Sequence, residues 1–391
     1  MNRSPENLLL RNANVVLSNR TITHATILVE EGVITSIDPS GAAEIAGART
    51  LDLDGLTVLP GFIDVHIHGA AGVDVMEATP EDLQEVSKYL ASQGVTGWLP
   101  TFVPASDENY SSAVAAVSKS MQSADCTGAR ILGLHYEGPF VNSAQCGALH
   151  TEYFKTYSRR EDLGSLPVLE RGARMITLAP EVSGGVDLVR ELNSRGWTVS
   201  IGHTRADLEV LNDAFAAGAR HMTHFMNAMS PLHHRNPGPI AWGLSRDDVS
   251  VDVIADGIHL DPYMLRLLLK IKGAAGISLI SDAIAAAGKG DGDYRIWGET
   301  ISVKNGRTAN ASGSIAGSVI SMLDAVRLML SLGVSHVDVA QMASTNPARL
   351  LGLDRIYGSI ETGKRADLVA LDRAGNVKLT VVDGHVTHNR Q

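Results

Sequence analysis

The alternation of apolar and polar positions divides the chain into a long middle part and two shorter ends. From residue 61 onward, short runs rich in Val, Ile, Leu and Thr alternate with segments of helical periodicity, which is the pattern of βα units around a parallel sheet. Eight such runs occur, at 62–68, 95–100, 131–137, 175–180, 197–202, 221–224, 249–255 and 277–282. The middle part therefore predicts an α/β protein with a (β/α)8 TIM-type barrel. A long insertion at 283–317 follows the eighth run and is predicted to contain a hairpin.

The two ends lack helical periodicity and alternate apolar and polar residues around tight turns. One set comprises 8–16, 26–30 and 33–38, and the other comprises 366–371 and 377–386. Neither set is large enough to fold alone with much margin, whereas together they can form one small sandwich. We therefore predict a discontinuous β-sandwich domain of residues 1–58 and 357–391, and a barrel domain of residues 59–356.

Composition limits the partners and the kind of site. The net charge is -10 at pH 7, with 44% hydrophobic and 19% charged residues, so binding to nucleic acid or to a membrane surface is not expected. The sequence shows no signal-peptide pattern and no run of membrane-spanning length, which predicts a cytoplasmic protein. Cys126 and Cys146 are the only cysteines. They lack a paired spacing, so any metal should be held by histidines and carboxylates.

The first barrel run ends in two histidines. Residues 61–69 read Gly-Phe-Ile-Asp-Val-His-Ile-His-Gly, and alternate residues of a strand share one face. His66 and His68 therefore point the same way, and imidazole nitrogens are good ligands for zinc or iron. The pair predicts half of a metal site at the open end of the first strand.

Four more residues suited to metal or acid–base chemistry follow other barrel strands, where functional residues of such barrels gather. They are Glu137, His203, His224 and Asp282. Glu137 and the two histidines give three ligands with a fourth position open, which is typical of a catalytic metal site. The first-strand pair could hold a second ion, with Glu137 bridging.

The predicted chemistry is hydrolysis of an amide. A divalent metal lowers the pKa of a bound water to about 7 and polarises a carbonyl, so the metal-activated water can act as nucleophile at neutral pH. Asp282 is placed to act as general base and acid, taking a proton from the water and returning it to the leaving amine. The same position is also compatible with a metal ligand.

These residues resemble the amidohydrolase superfamily and, within it, the deacetylases of N-acetylglucosamine 6-phosphate. The resemblance runs from about residue 8 to about residue 385. It is carried by blocks at 60–69, 137–140 (Glu-Gly-Pro-Phe), 201–204 (Ile-Gly-His-Thr), 224–229 (His-Phe-Met-Asn-Ala-Met), 281–283 (Ser-Asp-Ala) and 358–369. The Glu-Gly-Pro-Phe and Asn-Ala-Met blocks are specific to this branch, whereas the His-x-His element is shared widely.

The resemblance implies deacetylation of N-acetylglucosamine 6-phosphate to glucosamine 6-phosphate and acetate. It implies a divalent metal at Glu137, His203 and His224, with zinc expected and iron as the alternative, and one or two ions per subunit because His66 and His68 are kept. Substrate contacts are implied at Ala148, Asn227, Ala228, Arg235, His259, Ile315, Ala316 and Gly317. In relatives the matching Arg reaches the neighbouring subunit's site, which implies a homodimer.

One position departs from the family pattern. Relatives commonly read Gly-Ala-His after the Glu-Gly-Pro block, whereas this chain reads Gly147-Ala148-Leu149-His150. Either His150 takes the place of the family histidine through a one-residue shift of the loop, or that substrate contact is missing.

Two alternative functions remain at this point. The first is deacetylation of another N-acyl amino sugar, either N-acetylgalactosamine 6-phosphate or an unphosphorylated compound. Arg235 and His259 offer cationic donors that suit a phosphate, although the run His233-His234-Arg235 also suits a solvated loop. The second is a catalytically inactive barrel scaffold, which is disfavoured because every candidate ligand is present.

Overall fold

The computed structural model describes residues 7–38, 47–123 and 127–390. Cys126 lies outside these residues. Within them the chain forms a barrel and a sheet built from both chain ends, each with its own apolar core. None of the helices described is both long and apolar enough to cross a membrane.

The barrel consists of parallel strands that follow one another in chain order. They are β6 (Phe62–Ile67), β9 (Val95–Phe102), β11 (Gly133–Glu137), β12 (Ala173–Leu178), β13 (Thr198–Ile201), β14 (His221–Met222), β15 (Ser250–Ile254) and β16 (Ile277–Ile280). A parallel bridge between Ile67 and Ala283 joins the last strand to the first. This confirms the predicted barrel, and because the strands are parallel, their carboxyl ends share one mouth.

Helices cover the outside of the barrel. They are α1 (Pro80–Ser92), α2 (Asp107–Met121), α3 (Gly185–Ser194), α4 (Leu208–Ala217), α5 (Gly238–Ser245), α6 (Pro262–Lys272), α7 (Met322–Ser331), α8 (His336–Ala340) and α9 (Asn346–Leu350). Local sequence explains where several begin. Thr79 and Asp82 form a capping box around the start of α1, and the Asp261 side chain accepts from Tyr263 N at the start of α6. Capping side chains satisfy amide groups that have no partner within the helix.

Strands from both chain ends meet in one eight-stranded sheet. They are β1 (Leu8–Val16), β2 (Thr21–Glu30), β3 (Val33–Asp38), β4 (Arg49–Asp52), β5 (Thr57–Pro60), β20 (Leu368–Leu371), β21 (Val377–Val382) and β22 (His385–Asn389). The two ends join where β5 pairs with β20 in antiparallel register. The predicted domain boundary at 58/59 lies within β5, and the exact bounds of the two domains stay a prediction.

Six short strands complete the fold of the described residues. They are β7 (Gly69–Ala70), β8 (Val73–Asp74), β10 (Arg130–Ile131), β17 (Gly292–Ile296), β18 (Glu299–Lys304) and β19 (Arg307–Ala309). The antiparallel pair of β17 and β18 confirms the hairpin predicted for the insertion after the eighth barrel strand.

Candidate metal centre and active site

The six ionisable residues predicted at strand ends come together at the barrel mouth. Their side chains fall into two groups whose ligand atoms lie within 4.8 Å of one another inside each group. The first group is Glu137, His203 and His224, and the second is His66, His68 and Asp282. All six residues are buried, with exposed fractions of 0 to 7%. The barrel thus gathers a dense set of nitrogen and oxygen ligands in one enclosed place.

Three of these residues have an unusual backbone conformation. His203, His224 and Asp282 lie in the left-handed region, with φ of 48°, 29° and 51°. Such a conformation costs a residue other than glycine about 1–3 kcal/mol, and it persists only where the surroundings enforce it. For Asp282 the enforcing contacts are backbone hydrogen bonds, in which Asp282 N donates to His66 O at 2.9 Å and Ser318 N donates to Asp282 O at 2.7 Å. The surrounding structure therefore holds these three residues in a strained backbone conformation, which directs their side chains into the site.

The first group has the donor set of a metal site. Glu137 Oε1 lies 2.8 Å from His203 Nε2 and 2.9 Å from His224 Nε2. His203 Nδ1 lies 2.8 Å from the carbonyl oxygen of Gln145. A carbonyl can only accept, so Nδ1 carries the proton, and in the neutral ring Nε2 presents a lone pair to the carboxylate. Two imidazole nitrogens that converge with a carboxylate oxygen form a donor set suited to a divalent metal.

The second group is built in the same way. His68 Nδ1 donates to the carbonyl oxygen of Thr101 at 3.0 Å. Its Nε2 lies 3.1 Å from Asp282 Oδ1, 3.2 Å from His66 Nε2 and 3.3 Å from Glu137 Oε2. The two oxygens of Glu137 therefore face both groups, and the carboxylate is placed to bridge two ions.

Buried carboxylates give this place a strong negative potential. Burial raises the pKa of Glu137, but the charge of His66 and the close polar contacts with His203 and His224 hold it well below its usual range. Burial lowers the pKa of His68, but hydrogen bonds to Asp282 and Glu137 raise it to about 10. The carboxylates stay ionised and require compensating positive charge. A bound divalent cation supplies such charge without protonating the histidines.

Buried polar residues that the sequence did not single out support the ligands. His135 contacts Val65 O at 3.0 Å and Thr177 Oγ1 at 2.8 Å, and its ring packs edge-on against His66. Asp64 Oδ2 accepts from Ser281 Oγ at 2.5 Å, which fixes the strand end before Asp282. Such partners orient metal ligands. For His135 a signal was present, because it shares one strand face with Glu137.

Asp252 performs a similar role beside His224. Its Oδ2 accepts from His221 Nε2 at 2.9 Å and from Thr223 Oγ1 at 3.2 Å, and its Oδ1 accepts from the backbone amide of His224. The sequence signal is weak, since an aspartate inside an apolar run also occurs at strand edges. This carboxylate holds the loop that carries His224 in its left-handed conformation.

A pocket opens above the metal ligands. Of the predicted substrate contacts, those that line it are Ala148, Asn227, Ala228, His259, Ile315 and Gly317. Ala316 is fully buried between two of them. His259 Nδ1 lies 2.6 Å from Asp256 Oδ2, which leaves Nε2 for a ligand. The Asn227 amides are engaged locally, because both N and Nδ2 donate to His224 O.

Besides Ala316, two predicted contact residues lie outside the lining of this pocket within the described chain. Arg235 is exposed, and its Nη1 lies 2.7 Å from His234 Nε2. His150 points instead to Glu152 Oε1 at 3.2 Å, while Leu149 lines the pocket. The loop shift that would let His150 replace the family histidine is therefore not seen. The lining also includes Trp297, which the sequence did not single out.

Comparison with known proteins places the chain in a family. The model for "Amidohydrolase family" matches residues 57–387, which includes all six residues of the metal groups. The chain belongs to the amidohydrolase family. This amidohydrolase is 36% identical to N-acetylglucosamine-6-phosphate deacetylase of Bacillus subtilis (strain 168) over 97% of both chains. It is also 36% identical to N-acetylgalactosamine-6-phosphate deacetylase of Escherichia coli O157:H7, over 92% of this chain and 93% of the relative.

A solved structure agrees with the fold. This amidohydrolase is similar to a mutant N-acetyl-D-glucosamine-6-phosphate deacetylase from Mycobacterium smegmatis, determined in complex with N-acetyl-D-glucosamine-6-phosphate. The TM-score is 0.87 at 29% identity, and the match covers 98% of this chain and 99% of the other. Family and ligand geometry together indicate that this chain binds a divalent metal.

Proposed function

We propose that this amidohydrolase hydrolyses the acetamide of N-acetylglucosamine 6-phosphate to glucosamine 6-phosphate and acetate. The observation that carries the proposal is the buried convergence of two carboxylates and four histidines beneath a pocket, in a chain similar over nearly its whole length to such deacetylases. In the reaction water adds to the amide carbon, and a proton is transferred to the nitrogen. The carbon–nitrogen bond then breaks, which releases the amine and acetate.

We assign the metal ligands to His203, His224 and Glu137, with His66 and His68 completing a second position, and we expect zinc. Nitrogen ligands with carboxylates suit zinc, and iron suits the same set. When bound, such a metal polarises the carbonyl and lowers the pKa of a coordinated water to about 7.

Asp282 is the proposed general base and acid. Burial raises its pKa, but the charges of His66 and His68 and a hydrogen bond from His68 lower it, so the carboxylate is ionised at neutral pH and accepts a proton at Oδ. The protonated side chain then donates to the amine nitrogen, since an amine leaves readily only when protonated.

The function itself is tested by amine release. Purified metal-loaded enzyme is expected to release free amine from N-acetylglucosamine 6-phosphate with a higher kcat/KM than from the galacto epimer or the unphosphorylated sugar. Faster release from N-acetylgalactosamine 6-phosphate would select the second candidate function, which the equally similar E. coli relative favours. Release from none of the three sugars would contradict both.

We further propose a homodimer, in which Arg235 serves the neighbouring subunit's pocket. Arg235 lies outside the lining of its own pocket. Helix α6, which begins three residues after His259, exposes Tyr263, Leu267 and Ile271 at four-residue spacing, with exposed fractions of 73%, 36% and 42%. Residues at this spacing share one helix face, and an exposed apolar stripe is typical of a protein interface. The cytoplasmic location stays a prediction.

Replacing Arg235 with Ala is expected to raise KM for the phosphorylated sugar by roughly 10- to 100-fold, because a charge-assisted hydrogen bond contributes about 1.5–3 kcal/mol. The unphosphorylated sugar should be affected by less than about threefold, within the range of a surface substitution. Steady-state kinetics on both sugars measure this. Arg373→Ala, at an exposed position in the turn between β20 and β21, is the matched control. Equal losses on both sugars would contradict a phosphate contact.

A further inference from the structure

Trp297 occupies the turn of the hairpin that follows the last barrel strand. Ile296 pairs with Glu299 across this turn, and the two central residues, Trp297 and Gly298, have φ of 53° and 77°. Two positive φ values define a type I′ turn, which favours Asn or Gly at its first central position. A bulky aromatic residue is disfavoured there. The turn therefore tolerates Trp297 at a cost in backbone energy.

Hydrogen bonding does not account for the indole. Trp297 Nε1 is buried and has no hydrogen-bond partner among the described residues. A buried donor without an acceptor also costs free energy, which Phe at this position would avoid. What tryptophan adds is the largest apolar ring surface of any side chain.

That ring surface forms a wall of the pocket beside the metal groups. The indole meets the His68 ring at right angles, with 5.3 Å between ring centroids. It also packs against the buried cluster of Val103, Val141 and Leu149. Trp297 and Leu149 both line the pocket, so one side of an otherwise polar site is apolar.

The position of the indole determines which part of a bound substrate it would contact. His68 Nε2 lies 3.1 Å from Asp282 Oδ1, so the indole lies next to the reacting centre. In an N-acyl amino sugar, the acyl chain is bonded directly to the attacked carbon. It is the only fully apolar part of such a substrate, since the ring carries hydroxyls and the phosphate is charged.

We propose that Trp297 and Leu149 form the acyl subsite of this enzyme and restrict it to short acyl groups. The inference rests on the proposed deacylase function and deepens it. An acyl subsite gives a role to Leu149, which stands where relatives commonly carry a histidine. It also gives a role to Trp297, whose positive φ costs backbone energy.

Trp297→Ala is expected to shift acyl preference. The kcat/KM ratio for N-butyryl- over N-acetylglucosamine 6-phosphate should rise at least about tenfold, since each methylene in a fitted apolar pocket changes kcat/KM by about 10- to 200-fold. Leu149→Ala should shift the ratio in the same direction, and Trp297→Phe, which keeps an aromatic ring of smaller area, should give a ratio between those of wild type and Trp297→Ala. Tyr294→Ala is the matched control, because Tyr294 lies on the same hairpin and packs in its cluster but does not line the pocket.

Bound metal, measured by elemental analysis on every variant, separates the outcomes. Metal content equal to wild type with a raised ratio supports the acyl subsite. An unchanged ratio in both alanine variants, with wild-type deacetylation intact, would overturn the subsite and leave the proposed function standing. Metal loss with equal decline on all acyl groups would show that Trp297 positions His68 instead. A wild-type enzyme inactive on every N-acyl sugar phosphate would overturn the proposed function, and this inference with it.

Discussion

Replacing Asp282 with Asn is expected to lower kcat by at least about a hundredfold, the usual contribution of a general acid–base group, while metal stays bound. Asparagine keeps an oxygen at the same place, so the contact with His68 is preserved in shape, but its amide cannot accept the proton. KM should change little, because Asp282 acts on the reacting atoms. Steady-state kinetics with elemental analysis of the same preparation measure both quantities.

Glu152→Gln is the matched control for this experiment. Glu152 is an exposed carboxylate paired with His150 outside the pocket, so its loss should leave kcat unchanged. The alternative role for Asp282 is that of a metal ligand only, which its 3.1 Å approach to His68 Nε2 allows. In that case Asp282→Asn would lose metal, and excess metal would restore kcat. A fully loaded variant within about tenfold of wild type would contradict acid–base catalysis.

The barrel and the metal residues could be predicted from the sequence because both follow from short-range rules. Alternating apolar runs identify strands, and the carboxyl ends of parallel strands must share one mouth. Glu137 ends its strand, and His224 and Asp282 each follow their strand by two residues, so their meeting needs only the strand order. Even the two-residue strand His221–Met222 was located by its neighbours in the repeat.

What the sequence could not supply lies in the loops. The side chain of His150 contacts Glu152, whereas Leu149 lines the pocket. Which of these two neighbours lines the pocket depends on the packing of Leu149 with Val103 and Val141. Trp297 reaches the site from an insertion whose position relative to the barrel follows no periodic rule. Such contacts are set by tertiary packing between segments far apart in sequence, which strand and helix patterns do not encode.

Glu137→Gln is expected to have the largest effect of any single substitution in this chain. The two carboxylate oxygens face both ligand groups, with Oε1 2.8 Å from His203 Nε2 and Oε2 3.3 Å from His68 Nε2. Glutamine replaces one oxygen by an amide donor and removes the negative charge, so one position loses its oxygen ligand and the other keeps only a neutral amide oxygen. We expect loss of nearly all bound metal and a fall in kcat of about a thousandfold or more, because metal stabilises the transition state by several kcal/mol.

His68→Gln is the informative contrast, since His68 contributes to one ligand group only. If two ions bind, wild type should hold about two ions per subunit and His68→Gln about one. The remaining ion should be held by Glu137, His203 and His224, because three protein ligands and one open position are enough for a four-coordinate catalytic site. Elemental analysis after dialysis against metal-free buffer gives these ratios, and kcat on the same samples shows which ion the reaction needs. A Glu137→Gln protein that keeps wild-type metal and kcat would contradict the bridging role. A His68→Gln protein with unchanged metal would restrict the centre to the three ligands that meet at Glu137 Oε1, because the first-strand histidines would then serve the pocket without holding an ion.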